Sequence, residues 1–340
     1  MKNKTDSNNF DLLRNVLSFL VFFTHWNLLT AFNYDFFIFH LSGIAIDLFF
    51  VVSGFLIWWS YNGDQNVSNF YLKRFFRVFP LYLIIILLQT TFFIYFSNGS
   101  VVELFRYFIA NILFLNFLAP TVGDVLNSLD VGAINGSLWT LKNEMAFYIL
   151  VPLVYKLYVK YGMKALCCIY ICSLMYMFYF QYLNDGDIFY IQSLTNEKML
   201  VQFPAQIRLF LAGICLYIFF DKFGKYNPTI AAAVCLILII LFRDNEFFRF
   251  TIYPFSLGLL LIYLVYYIKP IITKFDFSYS FYIVHFPLIQ LAVLFDLNPS
   301  NPITSFILLF SLTVLISYLS EIYIEKPFIK LGRAIIRLKS

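Results

Sequence analysis

Long apolar runs alternate with short polar connections along most of the chain. They recur at 11–31, 41–60, 78–97, 137–158, 164–183, 200–220, 228–242, 250–268, 278–295 and 302–322. About 20 residues of helix, rising ~1.5 Å each, cross a ~30 Å hydrocarbon core. The pattern therefore predicts an all-α fold: a polytopic membrane helix bundle with about ten transmembrane helices. A further run, 104–119, is interrupted by Arg106, Asn111 and Asn116 and preceded by Glu103, and is expected to be re-entrant or non-spanning and buried in protein.

The cations decide between these two roles for 104–119, because basic loops stay on the cytoplasmic side. With ten spans, one side collects Lys2 and Lys4, then Lys73, Arg74 and Arg77, then Lys156, Lys160 and Lys164. Lys222, Lys225, Lys269, Lys274 and the C-terminal Lys326, Lys330, Arg333, Arg337 and Lys339 follow on that side. The other side keeps Arg106, Lys198, Arg243 and Arg249. A full crossing by 104–119 would swap the later clusters, so both termini are expected in the cytoplasm.

Composition sharpens the class. The 340 residues are 61% hydrophobic and 13% charged, with 44 Phe and 25 Tyr, which excludes an ordinary soluble enzyme and a disordered chain. The net charge of +5 lies in loop clusters that serve topology, so no nucleic-acid partner is expected. Cys167, Cys168, Cys172, Cys215 and Cys235 all sit in apolar runs without metal-ligand spacing, so neither a disulfide framework nor a metal site is expected. Arg14 interrupts the start of the first apolar run and no small-residue cleavage site follows, which predicts a retained helix. Residues 1–340 are expected to form a single integral-membrane domain with no C-terminal soluble domain, so any chemistry belongs to the helices.

Ionisable groups inside a bilayer cost roughly 2.5–3.5 kcal/mol each on insertion scales and need partners or water. Arg14, Asp47, Glu144 and Arg208 are such groups, together with His25 and His285, and their cost predicts that they converge. Arg14 and His25 are eleven residues apart, which returns to nearly the same helix face and climbs ~16 Å. His25 is the candidate acid/base, since imidazole takes and returns a proton near neutral pH. Asp47 is expected to fix its tautomer. Arg74 and Arg77 share a face at the cytoplasmic entrance of the third run, just before Pro80, and paired guanidiniums suit phosphates. Glu144 and Tyr148 stand four apart in the 137–158 run, Tyr282 and His285 three apart in the 278–295 run. His40 reads as an ordinary loop-edge residue. Ser53 in VVSGF lacks the leading glycine of a nucleophile elbow and reads as a helix-packing position beside Gly54.

In order along the chain, these residues resemble the acyltransferase family 3 membrane O-acyltransferases of bacteria. Arg14 and His25 match the family's Arg, ten residues, His spacing. Gly43, Asp47, Phe49, Phe50, Ser53, Gly54 and Phe55 match its second-helix block, and Phe70, Arg74, Arg77, Pro80 and Tyr82 the next. Ser137, Trp139, Leu141, Glu144, Phe147 and Tyr148 follow, then Ser278, Tyr279, Tyr282 and His285, then Glu325 and Pro327. Ala45 stands where a second glycine is usual, Thr140 where serine is common, and Arg208 is offset from the family's arginine.

The resemblance implies a multi-pass enzyme of the bacterial inner membrane that takes acyl-CoA, usually acetyl-CoA, from the cytoplasm as donor co-substrate. It implies a surface polysaccharide or lipid-linked sugar hydroxyl as acceptor, in contact with membrane lipid and compatible with a homo-oligomer. His25, Arg14, Asp47 and Glu144 would then be catalytic, and Arg14, Arg74, Arg77, His285 and Tyr282 would bind the donor. A small-molecule acceptor and a non-enzymatic transporter or flippase are the alternatives.

Overall fold

In the computed structural model, the described residues are 8–183, 196–223, 229–271, 273 and 275–339. Among them the secondary structure is helical, without strands. In chain order the helices are α1 Phe10–Leu29, α2 Ser42–Gly63, α3 Val67–Phe96, α4 Val101–Ile112, α5 Leu138–Tyr161, α6 Met163–Phe178 and α7 Asn196–Leu200. They continue as α8 Phe203–Phe223, α9 Thr229–Leu241, α10 Glu246–Thr251, α11 Tyr253–Tyr266, α12 Ser278–Leu294, α13 Pro302–Ser320 and α14 Lys326–Lys339. A π-turn, Glu321–Glu325, joins α13 to α14.

Each of the ten apolar runs contains a helix, but the expected ten spans become six candidates. By length and composition, Phe10–Leu29, Ser42–Gly63, Val67–Phe96, Met163–Tyr182, Lys198–Phe220 and Pro302–Lys339 are long and apolar enough to cross a membrane. Among the described residues the other four runs hold shorter or more charged helices, and the count of about ten is not confirmed. With 13, 14 and 17 residues, α9, α11 and α12 reach only ~20 to 26 Å. Helix α5 has 24 residues but carries Lys142, Glu144, Lys156 and Lys160. Helix α4 has 12 residues, ~18 Å, and the chain then turns at Asn116–Leu118, as suits a segment that does not span. Of the residues behind the predicted charge bias, Lys2, Lys4, Lys225, Lys274 and the Lys222 side chain lie outside the described residues.

The chain divides into two compact units, each gathered from several segments. The first contains the residues up to Phe10, Asp47–Val67 and Asn143–Ile272. Its helices α2 and α8 meet backbone to backbone: a Cβ on Gly54 would lie 2.1 Å from the carbonyl oxygen of Phe210, and one on Gly213 2.1 Å from that of Val51. This is the close approach that small residues permit. The Phe210 ring, free to enter the same contact, stacks on Phe147 at 4.2 Å. Asn9 closes the end of α11: its amide donates to the carbonyls of Leu264, Ile268 and Lys269, which a helix end leaves without intrahelical donors.

The second unit contains Asp11–Ile46, Ser68–Lys142 and Thr273–Ser340. Phe22, Trp26, Phe281, Phe286, Ile289 and Leu309 form its core between α1, α12 and α13. Contacts of α1 with α12 advance together, from Phe19 on Phe277 to Phe22 on Phe281 and His25 on Phe286, so the two helices run parallel. Against α13 the order reverses, with Phe19 on Phe310 and Trp26 on Phe306. A polar knot holds the 101–119 segment: Tyr82 donates to the Asn111 carbonyl, Asn116 donates to Tyr82, and Tyr107 donates to Gln89.

Pro287 interrupts α12. Its missing N–H frees the carbonyl of Ile283, which accepts instead from the Asn135 amide at 2.9 Å. Gln290 adds bonds to the carbonyls of Val131 and Ala133, and so the chain entering α5 is fastened along α12. Replacing Asn135 with alanine strips a buried carbonyl of its partner. The expected cost is about 1–3 kcal/mol, read as a lower thermal midpoint in detergent with helix content unchanged.

Candidate active site

The parallel pair α1 and α12 carries polar groups at two levels. At one end the hub is Asp276, two residues before α12. It is bridged by Arg14, held through Nη2, and by Arg77 Nη2 at 3.4 Å. Ser278 Oγ donates to its carboxylate at 2.7 Å, and the Asp276 amide donates to Glu321 Oε1 at 3.1 Å. Lys326 Nζ lies 3.1 Å from the same Glu321 oxygen. A negative charge just ahead of α12 also complements the positive end of the helix dipole. Arg14 further contacts Asp11 at 2.7 Å, yet its Nε is buried without a partner. Arg74 lies over the Phe70 ring at 5.6 Å.

Burial alone would raise the Asp276 carboxyl. The Arg14 and Arg77 guanidiniums, followed by the hydroxyl and amide of Ser278, more than offset it and hold the group below its ordinary range. Since the folded value lies below the unfolded one of about 3.9, the cluster stabilises the fold above roughly pH 4, and that contribution is lost as pH falls through the folded value. Thermal unfolding of wild type and Asp276→Asn is therefore expected to differ most near neutral pH and to converge in acid.

Two turns into α12 lies the second level. His25 Nδ1 is 2.8 Å from His285 Nε2, with the two rings nearly parallel. His285 Nδ1 is 3.0 Å from the carbonyl of Phe281 one turn back. Ser137 Oγ is 3.5 Å from His285 Nε2, and Thr140 donates to the Tyr282 hydroxyl at 2.9 Å. His285 is 0% exposed, whereas His25 is only partly buried and keeps accessible surface. Phe286 stands edge-on to His25, in space that Gly136 leaves open: a Cβ there would lie 2.7 Å from the Phe286 ring.

The first unit holds the other ionisable groups singled out in the apolar runs. Asp47 accepts from the Tyr253 hydroxyl and is compensated chiefly by the Arg208 guanidinium. Arg208 donates through Nε to Met177 Sδ at 2.9 Å and through Nη1 to the Arg249 carbonyl at 3.1 Å. Glu144 accepts from Tyr148 one turn along α5 and from Ser53 at 3.4 Å.

Arg14 and Arg77 meet at Asp276, and His25 meets His285 on the same helix pair. The tautomer partner expected for His25 is corrected: its Nδ1 is engaged by His285, and Asp47 is engaged by Tyr253 and Arg208. His285, expected beside the donor, has both ring nitrogens on groups of the chain itself, and Tyr282 receives Thr140. Asp276 escaped sequence reasoning, although an Asp two residues before the serine that opens an apolar helix is a recognisable start signal.

A family model described as an acyltransferase domain matches residues 7–322. The chain belongs to the acyltransferase 3 family. Among curated relatives, O-acetyltransferase OatA of Staphylococcus aureus is 25% identical over 333 residues, covering 86% of this chain and 54% of that protein. Nodulation protein 10 of Rhizobium leguminosarum bv. viciae is 25% identical over 239 residues, 64% of this chain and 61% of its own length. Acyltransferase MdmB of Streptomyces mycarofaciens is 26% identical over 143 residues, 37% of this chain and 32% of its own. The chain thus spans little more than half the length of the first two. No solved structure matches it. The family and the several long apolar helices support a multi-pass membrane protein.

Proposed function

We propose that this protein moves an acetyl group from cytoplasmic acetyl-CoA to a hydroxyl of a surface polysaccharide or lipid-linked sugar at the bacterial inner membrane, with both termini cytoplasmic. One observation carries the proposal: His25 and Arg14 stand ~16 Å apart along α1, and Arg77 of α3 joins Arg14 at Asp276, just ahead of the parallel α12. Such an array suits an extended coenzyme, with its phosphates on the arginines, helped by Arg74, and its thioester at the imidazole. The similarity to an O-acetyltransferase supports a hydroxyl acceptor.

In the proposed reaction the acceptor oxygen attacks the thioester carbonyl as His25 takes the hydroxyl proton. Collapse of the tetrahedral intermediate breaks the carbon–sulfur bond, and the departing thiolate receives that proton from His25. Asp47 and Glu144, each with partners in the first unit, enter no step here. Mass spectrometry of surface glycans from cells with and without the protein tests the acceptor. An added acetyl group that depends on the protein is expected; identical glycans in both strains would transfer the proposal to a small-molecule acceptor.

A further inference from the structure

We propose that His285 is a positioning residue that holds His25 in its Nδ1–H tautomer, leaving Nε2 as the one ring nitrogen able to accept the substrate's proton. This rests on the proposal that His25 is the base of the acyl transfer.

The assignment follows from one atom that can play only one part. The carbonyl of Phe281 accepts hydrogen bonds and cannot donate them, so the proton at the 3.0 Å contact belongs to His285 Nδ1. A neutral imidazole with its proton on Nδ1 has a lone pair on Nε2. That lone pair faces His25 Nδ1 at 2.8 Å, so His25 donates, and its own proton sits on Nδ1. What remains on His25 is an unprotonated Nε2.

The neighbours reinforce this order. The Ser137 hydroxyl is the other group near His285 Nε2, at a longer 3.5 Å, and it too can only donate to that lone pair. His285 is 0% exposed, so bulk water does not compete for it. Phe22 and Phe281 close around its ring, and Phe286 stands between His25 and apolar core. A free neutral histidine favours the proton on Nε2, which would block the atom needed as base. The relay from the Phe281 carbonyl through His285 reverses that preference. It also means that any acyl group carried covalently by His25 would be carried on Nε2.

The chain has three histidines, so nitrogen NMR can resolve each one. The full-length protein, labelled with ¹⁵N-histidine and reconstituted in nanodiscs, is compared with His40→Gln, which removes the exposed third signal. His25 is expected to show a protonated Nδ1 and an unprotonated Nε2. In His285→Leu the His25 signals are expected to shift toward the Nε2–H form, with kcat lower by about 10²- to 10⁴-fold and the KM for acetyl-CoA within about two-fold of wild type. His285→Gln keeps an acceptor oxygen for His25 Nδ1 and is expected to retain the tautomer and recover kcat to within about ten-fold. Wild-type protein with the His25 proton on Nε2 would overturn the proposal without requiring any variant to fold. So would a His285→Leu protein whose His25 signals are unchanged. These signals do not depend on turnover: if His25 proved dispensable for transfer, the function proposed above would fail while the tautomer stood.

Discussion

Purified protein carrying His25→Ala is expected to transfer acetyl from acetyl-CoA about 10²- to 10⁴-fold more slowly than wild type, the range that a positioned general base supplies. The loss should fall on kcat. The anion cluster of Arg14, Arg77 and Asp276 lies ~16 Å away along the helix pair, so acetyl-CoA binding should survive. The cavity left by the partly buried imidazole borders Phe286 and His285, and folding is checked by the thermal midpoint. A variant that folds, binds donor and transfers at the wild-type rate would remove His25 both as base and as covalent carrier.

Gly54→Ala is expected to have the largest effect on folding. The added carbon would lie 2.1 Å from the Phe210 carbonyl oxygen and under 3 Å from two further backbone atoms of the same residue, none of which can rotate away. Helices α2 and α8 must separate, and overpacking of this kind costs about 1–3 kcal/mol. Gly54→Val should cost more, since the branched side chain meets the same backbone. Gly213→Ala, which strikes the Val51 carbonyl from the other helix, should reproduce the loss, and the double variant should cost less than the sum because one separation relieves both clashes. Thermal midpoints in a single detergent measure all four.

Helix positions were legible in the sequence because hydrophobicity is a local property, and every apolar run contains a helix. Span number was not, since it depends on helix length and charge as well as hydrophobicity: α9, α11 and α12 are short, and α5 carries four charges. Of the site, the spacing of Arg14 and His25 was legible as one helix face, and His285 stood out as an imidazole in an apolar run. Their partners were not. His25 meets His285 across 260 residues and Arg14 meets Asp276 across 262, separations on which periodicity is silent. Asp47 illustrates the same point, because a buried carboxylate announces its need for a cation without saying which one. Arg208, with no role assignable from the sequence, is the chief compensating cation.

The central claim is that the donor binds at Arg14 and Arg77 and reacts at His25. Cryo-electron microscopy of the protein with coenzyme A bound tests it most directly. The expected map has the coenzyme's phosphates on Arg14 and Arg77, where the Asp276 carboxylate now sits, and its sulfur within hydrogen-bond reach of His25 Nε2, directly or through one water. Coenzyme A bound away from these arginines, or with its sulfur directed away from His25, would contradict the account.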